Sequence, residues 1–294
     1  ARISVRAIGV NRADVLQRQG LYPPPEGVRS DILGLECSGV IIEVSKDCVG
    51  RPMDWIGQNV MVLLSGEAYG SEVIVDLGCV LPIPEHLTFS EAAAIPEAFI
   101  TAFDALWMQS KLQSGQSVCI HAVGSGVGDA ARQLCLAKGH EVYGTTRTLA
   151  KANQLTTNAC PVFHVQEATV LSALPKVDVV LDFVGAAYLT ENLRLLKPKG
   201  HLQVVGLLGG VKTDINLAQL LRKRLTIRGS TLRNRSISEK SALMERFAQD
   251  VLPLFIECII GPTIDSVYSW TEVEQAHQRM LENKNIGKIV LHVD

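Results

Sequence analysis

The chain has 294 residues, which at about 150 residues per domain suggests two domains. Its composition, 47% hydrophobic, 20% charged and 5% aromatic, excludes wholesale disorder, and 28 basic against 30 acidic residues (net charge −2) leave no electrostatic footprint for nucleic acid or an anionic membrane. The seven cysteines, at 37, 48, 79, 119, 135, 160 and 258, are odd in number and widely spaced, with no C-x-x-C pair; they read as small buried hydrophobes in a reducing, cytoplasmic compartment rather than as a zinc lobe or a redox motif.

Residues 1–95 read as β-rich. Strands are predicted at 3–10, 38–44 (SGVIIEV), 59–64 (NVMVLL) and 71–75 (SEVIV), where apolar and polar side chains alternate between Gly-containing turns. Pro82 and Pro84 close the region, and short strands at this spacing suggest a small barrel or sandwich. Thr88 is placed to cap a helix, with Glu91 in the reciprocal position three residues on. The Ala-rich stretch 92–107 is helical in pattern, with Pro96 breaking or kinking it. Strands and helices then alternate: strand 117–122, helix 128–138, strand 141–146, helix 149–156, strand 177–184, helix 188–197, strand 201–208, helix 216–223 and strand 225–230. Near-continuous apolar strands between helices predict a doubly wound α/β fold, a parallel sheet covered on both faces. An amphipathic helix is predicted over 238–255, then a strand at 262–268, a helix at 271–283 and a strand at 288–293. No apolar run approaches the ~18 residues of a membrane span. The opening ARISVRAIGV has no signal-peptide pattern, and without an initiator Met the chain is expected to begin inside a larger reading frame.

The most informative local feature is 117–139, SVCIHAVGSGVGDAARQLCLAKG. A buried-type strand runs into Gly124, Gly126 and Gly128 and then into an apolar-striped helix. Glycines permit a tight turn and close approach of backbone N–H groups to a phosphate, whose charge the helix N-terminus favours. The spacing is G-x-G-x-G rather than the strict G-x-G-x-x-G, and Asp129 would repel a phosphate placed very close. The alternative is a merely structural turn; the βαβ setting favours a dinucleotide. At the end of the next strand an NAD enzyme carries an acid for the ribose 2′-hydroxyl, but this chain has Thr146 and then Arg147, with Lys151 close behind. Cations attract a 2′-phosphate, so NADPH is favoured; the alternative is that both are solvated surface charges. Asp182 to Gly185, and Gly206, Leu207, Gly209 and Gly210, end two further strands and fit the same pocket or are ordinary turns.

These segments, with VNRADVLQRQGLY (10–22), ILGLECSGVI (32–41), IPEAFITAF (95–103), GLLGG (206–210), LRKRLTIRGSTLRNRS (221–236) and ENKNIGKIVL (282–291), resemble the zeta-crystallin-like quinone oxidoreductases, the zinc-free branch of the medium-chain dehydrogenase/reductases. The resemblance covers nearly the whole chain, in order. It implies a GroES-like catalytic domain (1–95), a Rossmann NADP(H)-binding domain (96–236) and a C-terminal segment (237–294) returning to the catalytic domain. It further implies quinone reduction with NADPH and a homodimer or tetramer. Leu35-Glu36 stands where alcohol-dehydrogenase relatives carry His–Glu, and Leu cannot ligate zinc, so no metal is expected. Carried over residue by residue, the catalytic set is Tyr22, Ser125 and Asn11, with Asp14 shaping the same floor. The cofactor contacts are Gly124, Ser125, Gly126, Val127, Gly128, Thr146, Arg147, Lys151, Asp182, Gly185, Gly206, Leu207, Gly209 and Arg233.

There are departures from that pattern. Val165 stands near a position where the family usually has Tyr, and Ser65-Gly66-Glu67 is a reduced form of a Gly-rich segment. The chain is expected to start roughly 25–30 residues inside the family pattern, without its first strands. Outside the resemblance, Tyr22 reads as an ordinary aromatic before Pro23–Pro25, and His121 as a satisfied structural histidine. The basic stretch Arg222, Lys223, Arg224, Arg228, Arg233 and Arg235 is expected to be mostly solvated. The strand at 225–230 is expected to be a sheet edge that pairs across a dimer, which a monomeric mass by light scattering would refute. Tyr22 and Ser125 are expected to donate hydrogen bonds to the oxygen that becomes anionic as hydride arrives. Two rivals stay open: a reductase of activated carbon–carbon double bonds in enoyl thioesters or alkenals, and a non-catalytic NADPH-binding protein.

Overall fold

The computed structural model describes residues 1–45 and 55–293, so Cys48 lies outside the described residues. The chain divides into two compact units, Ala1–Thr101 with Leu232–Asp294, and Ala102–Thr231.

The first unit is built on one sheet. Its strands are β1 (Arg2–Val10), β2 (Glu36–Glu43), β3 (Asn59–Leu63), β4 (Glu72–Ile74) and β5 (Val80–Pro82). In the second unit follow β6 (Ser117–Ile120), β7 (Glu141–Thr146), β8 (Val162–His164), β9 (Val177–Asp182), β10 (Leu196–Val204) and β11 (Thr226–Gly229). The chain then returns to the first unit with β12 (Ile264–Ser269) and β13 (Lys288–His292). The first sheet runs β12-β13-β1-β2-β3-β5, with β4 also paired to β1. Its pairs are antiparallel except β12 with β13. Alternation places Ile3 and Val5 of β1 in one core with Val62, Ile289 and Leu291, and an irregularity in the β1–β2 register after Val5 brings Ile8 to the same core. The unit boundaries fall later than 95/96 and earlier than 236/237, for a packing reason. Glu97 N bonds Glu36 and Phe99 meets Phe255 edge to face within the first unit, and Leu232 and Arg233 are buried there.

The second unit is a six-stranded sheet in the order β11-β10-β9-β6-β7-β8, parallel throughout. The strands run outward from β6 in one direction and from β9 in the other. The switch point, the place where open α/β sheets bind ligands, therefore lies at the carboxyl ends of β6 and β9. All four residues of β6 are buried, as expected for a strand covered on both faces. β11 is the sheet edge, with Ile227 partly exposed.

Three differences from the sequence reading have local causes. The helix predicted over 238–255 is two, Ile237–Asp250 and Leu252–Ile256. Val251 leaves helical geometry, and Pro253, which has no N–H to give, sits in the first turn of the second. The strand predicted to 208 stops at Val204, and Leu207 and Leu208 are exposed in a turn. Pro96 starts a helix (Pro96–Phe103) after a four-residue one (Phe89–Ala92), and the chain then widens into a π-type turn at Asp104–Gln109. The Thr88–Glu91 capping box is present in both directions. Among the described residues no helix is long and apolar enough to cross a membrane.

Candidate active site

At the end of β6 the chain turns through Ala122, held at φ 45°, and enters the helix Gly126–Ala137. Ser125 is the N-cap, and its hydroxyl accepts a hydrogen bond from Gly128 N (3.1 Å). The first-turn N–H groups at Gly126 and Val127 have no intrahelical acceptor and are the natural donors to an anion. A Cβ on Gly128 would lie 2.5 Å from Ala122 O and 2.9 Å from Val123 Cα, so the turn closes only around glycine. Asp129, the expected source of repulsion, is buried and neutralised. Arg132 lies 2.6 Å away one turn on, and Gln133 Nε2 donates to the other carboxylate oxygen.

Two further turns meet at the carboxyl ends of β9 and β10. Leu208 N and Gly209 N donate to Phe183 O and Val184 O (3.0 and 2.7 Å), and Ala186 N donates to Gly210 O (3.0 Å). Gly185, at φ 79°, would put a Cβ 2.7 Å from Leu207 Cδ2. These glycines therefore have a packing task beside any cofactor role. Asp182 is fully buried, and its carboxylate accepts from the N–H groups of Val184 and Gly185 and from Asn192 Nδ2. It shapes the turn and offers no free edge. His121 is a neutral imidazole, its pKa pushed down by burial, and it bridges Thr145 Oγ1 (2.8 Å) and Asn192 Oδ1 (2.7 Å). At the end of β7 Thr146 is buried, Arg147 is exposed and Lys151 is half-buried on the helix Leu149–Leu155. Val165 is buried in the core of this unit.

The first unit gathers a second cluster. Asn11, at the N-cap of the helix Arg12–Arg18, donates from Nδ2 to Glu36 Oε1 (2.8 Å) and accepts at Oδ1 from Lys288 Nζ (2.7 Å). Lys288 Nζ lies 2.5 Å from Glu36, and the two side chains are 5% and 0% exposed. The other Glu36 oxygen accepts from Glu97 N (2.7 Å). Asp14 is buried and accepts from Asn11 N, Gly34 N and the Tyr69 hydroxyl. Burial outweighs those donors and raises its carboxyl to about 6. Tyr69 also contacts His277 Nε2 (3.0 Å), and burial pushes that imidazole down to about 4. Tyr22 is half-buried under the Arg233 guanidinium, 5.1 Å from its ring centroid; burial, then the charge of Glu97, raise the phenol above its usual value.

Arg233 is corrected by this arrangement. It is among the largest fully buried side chains. Its Nε donates to Ser65 O (2.8 Å), its Nη1 to Tyr22 O (3.1 Å) and its Nη2 to Gln17 Oε1. Those bonds tie three segments of the first unit together, and the guanidinium is a brace there instead of a cofactor contact. Asn11, Asp14 and Tyr22 thus lie in the first unit, Asn11 bonded to Asp14 and Glu36 and Tyr22 to Arg233, and the glycine loop, Thr146, Arg147 and Lys151 lie in the second. The sequence reading missed Glu97, Tyr69, His277 and Lys288. The available signal was a single charged residue inside an apolar run, as in IPEAF and GKIVL. Five of the six described cysteines are buried, and Cys258 is exposed.

A zinc ion does not fit the cluster in the first unit. Leu35 offers no lone pair, and the Lys288 ammonium already occupies Glu36. Among the described residues no three His, Cys, Asp or Glu side chains group as metal ligands.

Comparison with known proteins agrees with this architecture. Residues 1–104 match the alcohol dehydrogenase GroES-like domain family, and residues 126–249 the zinc-binding dehydrogenase family. The chain is 31% identical over 316 residues to the synaptic vesicle membrane protein VAT-1 homolog-like of Mus musculus, spanning 100% of this chain and 74% of that one. The crystal structure of CurK enoyl reductase superposes with a TM-score of 0.84 at 25% identity, covering 100% and 90% of the two chains. That of the quinone oxidoreductase from Thermus thermophilus, studied with NADPH, gives 0.81 at 26%, covering 99% and 90%. The chain is an oxidoreductase of the medium-chain dehydrogenase/reductase superfamily, whose members bind nicotinamide cofactors, and it belongs to the zeta-crystallin-like quinone oxidoreductases.

Proposed function

We propose that the chain is an NADPH-dependent, metal-free reductase that passes hydride to a quinone, working in the cytoplasm as a homodimer. The observation that carries this reading is the end of β7. Thr146 and Arg147 stand there in place of an acid, beside a glycine-cleared helix N-terminus at the sheet's switch point. The fit to a dinucleotide is steric and electrostatic: Gly128 leaves no side chain over the first-turn N–H groups, and Arg132 balances the charge of Asp129. The likeness to a quinone oxidoreductase studied with NADPH supports the same cofactor.

In this reading the backbone at Gly124, Ser125, Gly126, Val127 and Gly128 holds the pyrophosphate, and Arg147 and Lys151 hold the 2′-phosphate. Gly206 and Leu207 line the nicotinamide end. Bound NADPH supplies hydride. The Tyr22 phenol, kept neutral by burial and by Glu97, donates a hydrogen bond to the acceptor oxygen as charge develops on it. Arg233 holds Tyr22 in place through its carbonyl and ring.

The first test is a titration with NADPH and NADH, then NADPH oxidation with an ortho-quinone. Selective NADPH binding with turnover is expected; binding without turnover on any electrophile would reduce the chain to a cofactor-binding protein. Replacing both Arg147 and Lys151 with Ala should weaken NADPH at least tenfold, since a charged hydrogen bond contributes about 1.5–3 kcal/mol, and leave NADH unchanged. An unaltered preference in that double variant would remove both residues from the phosphate site. Tyr22→Phe should lower kcat about a hundredfold, with NADPH affinity intact. Unchanged turnover would take Tyr22 out of the chemistry. The likeness to an enoyl reductase favours one second reading, reduction of an α,β-unsaturated thioester, and activity on acyl thioesters but not on ortho-quinones would select it.

A further inference from the structure

Part of the basic stretch that begins at Arg222 belongs to a cavity at the far end of the second unit. Lys176 stands directly before β9, Arg194 just before β10 and Lys223 just before β11. These strands are neighbours in one parallel sheet, so the three connections reach it side by side, at the amino ends of the strands. The glycine turns lie at the opposite, carboxyl ends. Lys176, Arg194, Arg222 and Lys223, with Ser172 and Gln219, line an open cavity of about 390 Å3, and among the described residues no carboxylate belongs to its lining.

One of these cations is accounted for by a helix end. The helix Leu189–Leu195 stops here, and Lys223 Nζ donates to the carbonyls of Leu193 (2.8 Å), Arg194 (2.8 Å) and Leu196 (2.7 Å). An ammonium has three protons, so the cap is complete and Lys223 has only its charge left to offer. Lys176 Nζ nevertheless bonds the same Arg194 oxygen, at 2.8 Å. The two ammonium groups are thus no further apart than those two bonds laid end to end, and they repel. Burial, then the Lys176 charge, lower the Lys223 pKa from its usual value. Lys176 keeps two protons to donate. Arg222 donates from Nε to Ala218 O (3.2 Å), and its Nη1 and Nη2 have no partner among the described residues. Of the four cations only Arg194 meets a carboxylate among the described residues, Glu191 at 2.5 Å through Nη1, which leaves its Nη2 over. Capping needs none of this surplus; an anion held among the four would use all of it.

We infer that this cavity binds a phosphomonoester carried on a small hydroxylated skeleton. Lys176, Arg222 and Arg194 supply charge-assisted donors, and a planar guanidinium can meet two phosphate oxygens at once. Lys223 adds a fixed charge that a dianion relieves. The volume falls at the small end of ligand pockets, about 300–1,000 Å3, and leaves room beyond a bare ion. All six lining residues are polar, so that room suits hydroxyl groups and not an acyl chain or an aromatic ring. The site lies at the other end of the sheet from the proposed dinucleotide pocket, and filling one does not obstruct the other.

The experiment is calorimetric titration at low salt with glucose 6-phosphate, glycerol 3-phosphate, glucose and inorganic phosphate. The Arg147→Ala/Lys151→Ala variant serves as the background, so that the proposed 2′-phosphate site does not contribute. At least one of the two esters should bind, glucose should not, and inorganic phosphate should bind about tenfold more weakly than the better ester. Adding Lys176→Gln and Arg222→Gln should weaken that ester about tenfold or more, with the melting temperature unchanged because Lys223 still caps the helix. No heat with either ester, or equal affinity with and without Lys176 and Arg222, would overturn the site. Equal affinity for inorganic phosphate and the better ester would overturn the skeleton. Phosphatidylcholine vesicles with and without phosphatidylinositol 4-phosphate form the last arm. Sedimentation with the phosphorylated vesicles, without binding of either soluble ester, would overturn the small ligand in favour of a lipid headgroup.

Discussion

Lys288→Met should destabilise the protein by about 3–5 kcal/mol at neutral pH, the cost of leaving a buried charge without its partner. Methionine keeps the length of the stem and removes the ammonium. Glu36 would then keep only Asn11 Nδ2 and Glu97 N as donors, in a site where neither Glu36 nor Lys288 meets solvent appreciably. A surface ion pair would cost no more than ~1 kcal/mol to break, so the burial decides the magnitude. Urea unfolding at neutral pH measures it. Pairing the change with Glu36→Gln should recover most of the loss, because removing both charges leaves no orphan. A loss below ~1 kcal/mol for Lys288→Met would mean that water reaches Glu36.

Gly128→Val should cost about 1–3 kcal/mol by overpacking and abolish measurable NADPH binding. The new Cβ meets backbone, Ala122 O and Val123 Cα, so no side-chain rotation relieves it. The turn must open, and the N–H groups of Gly126 and Val127 lose their common aim. Fluorescence titration with NADPH and a thermal melt separate the two effects. A variant that melts with the wild type and binds as tightly would show that the glycine is incidental.

The second unit was legible in the sequence because its signals are local. A four-residue buried strand, three glycines and an apolar-striped helix follow one another within a single stretch of chain. The Thr88–Glu91 capping box is local as well. The strands β5 and β8 escaped notice because VLP and VFH, unlike SEVIV around β4, show no polar–apolar alternation. The cluster in the first unit was only partly legible. Asn11 and Tyr22 came from resemblance to a family. Glu36, Tyr69, Glu97, His277 and Lys288 are scattered along the chain, and only the fold brings them together. Arg233 misled for the same reason. Inside a basic stretch it looks solvated or phosphate-binding, whereas its partners, Gln17, Tyr22 and Ser65, lie some two hundred residues away.

The interrupted layout of the first unit sets an order on its making. The second unit is one continuous stretch, and every strand neighbour it needs has left the ribosome before β12 and β13 are translated. β1 emerges first and waits for β13, its neighbour on one side, through the synthesis of the whole second unit. Lys288 arrives with that late strand. Until then Glu36 has no cation bonded to it, although Arg233 and Lys240, buried in the same unit, have already been made. Translation of a single strand thus supplies both the missing sheet pairing and the bonded partner of Glu36, and the first unit closes only when the second is already complete.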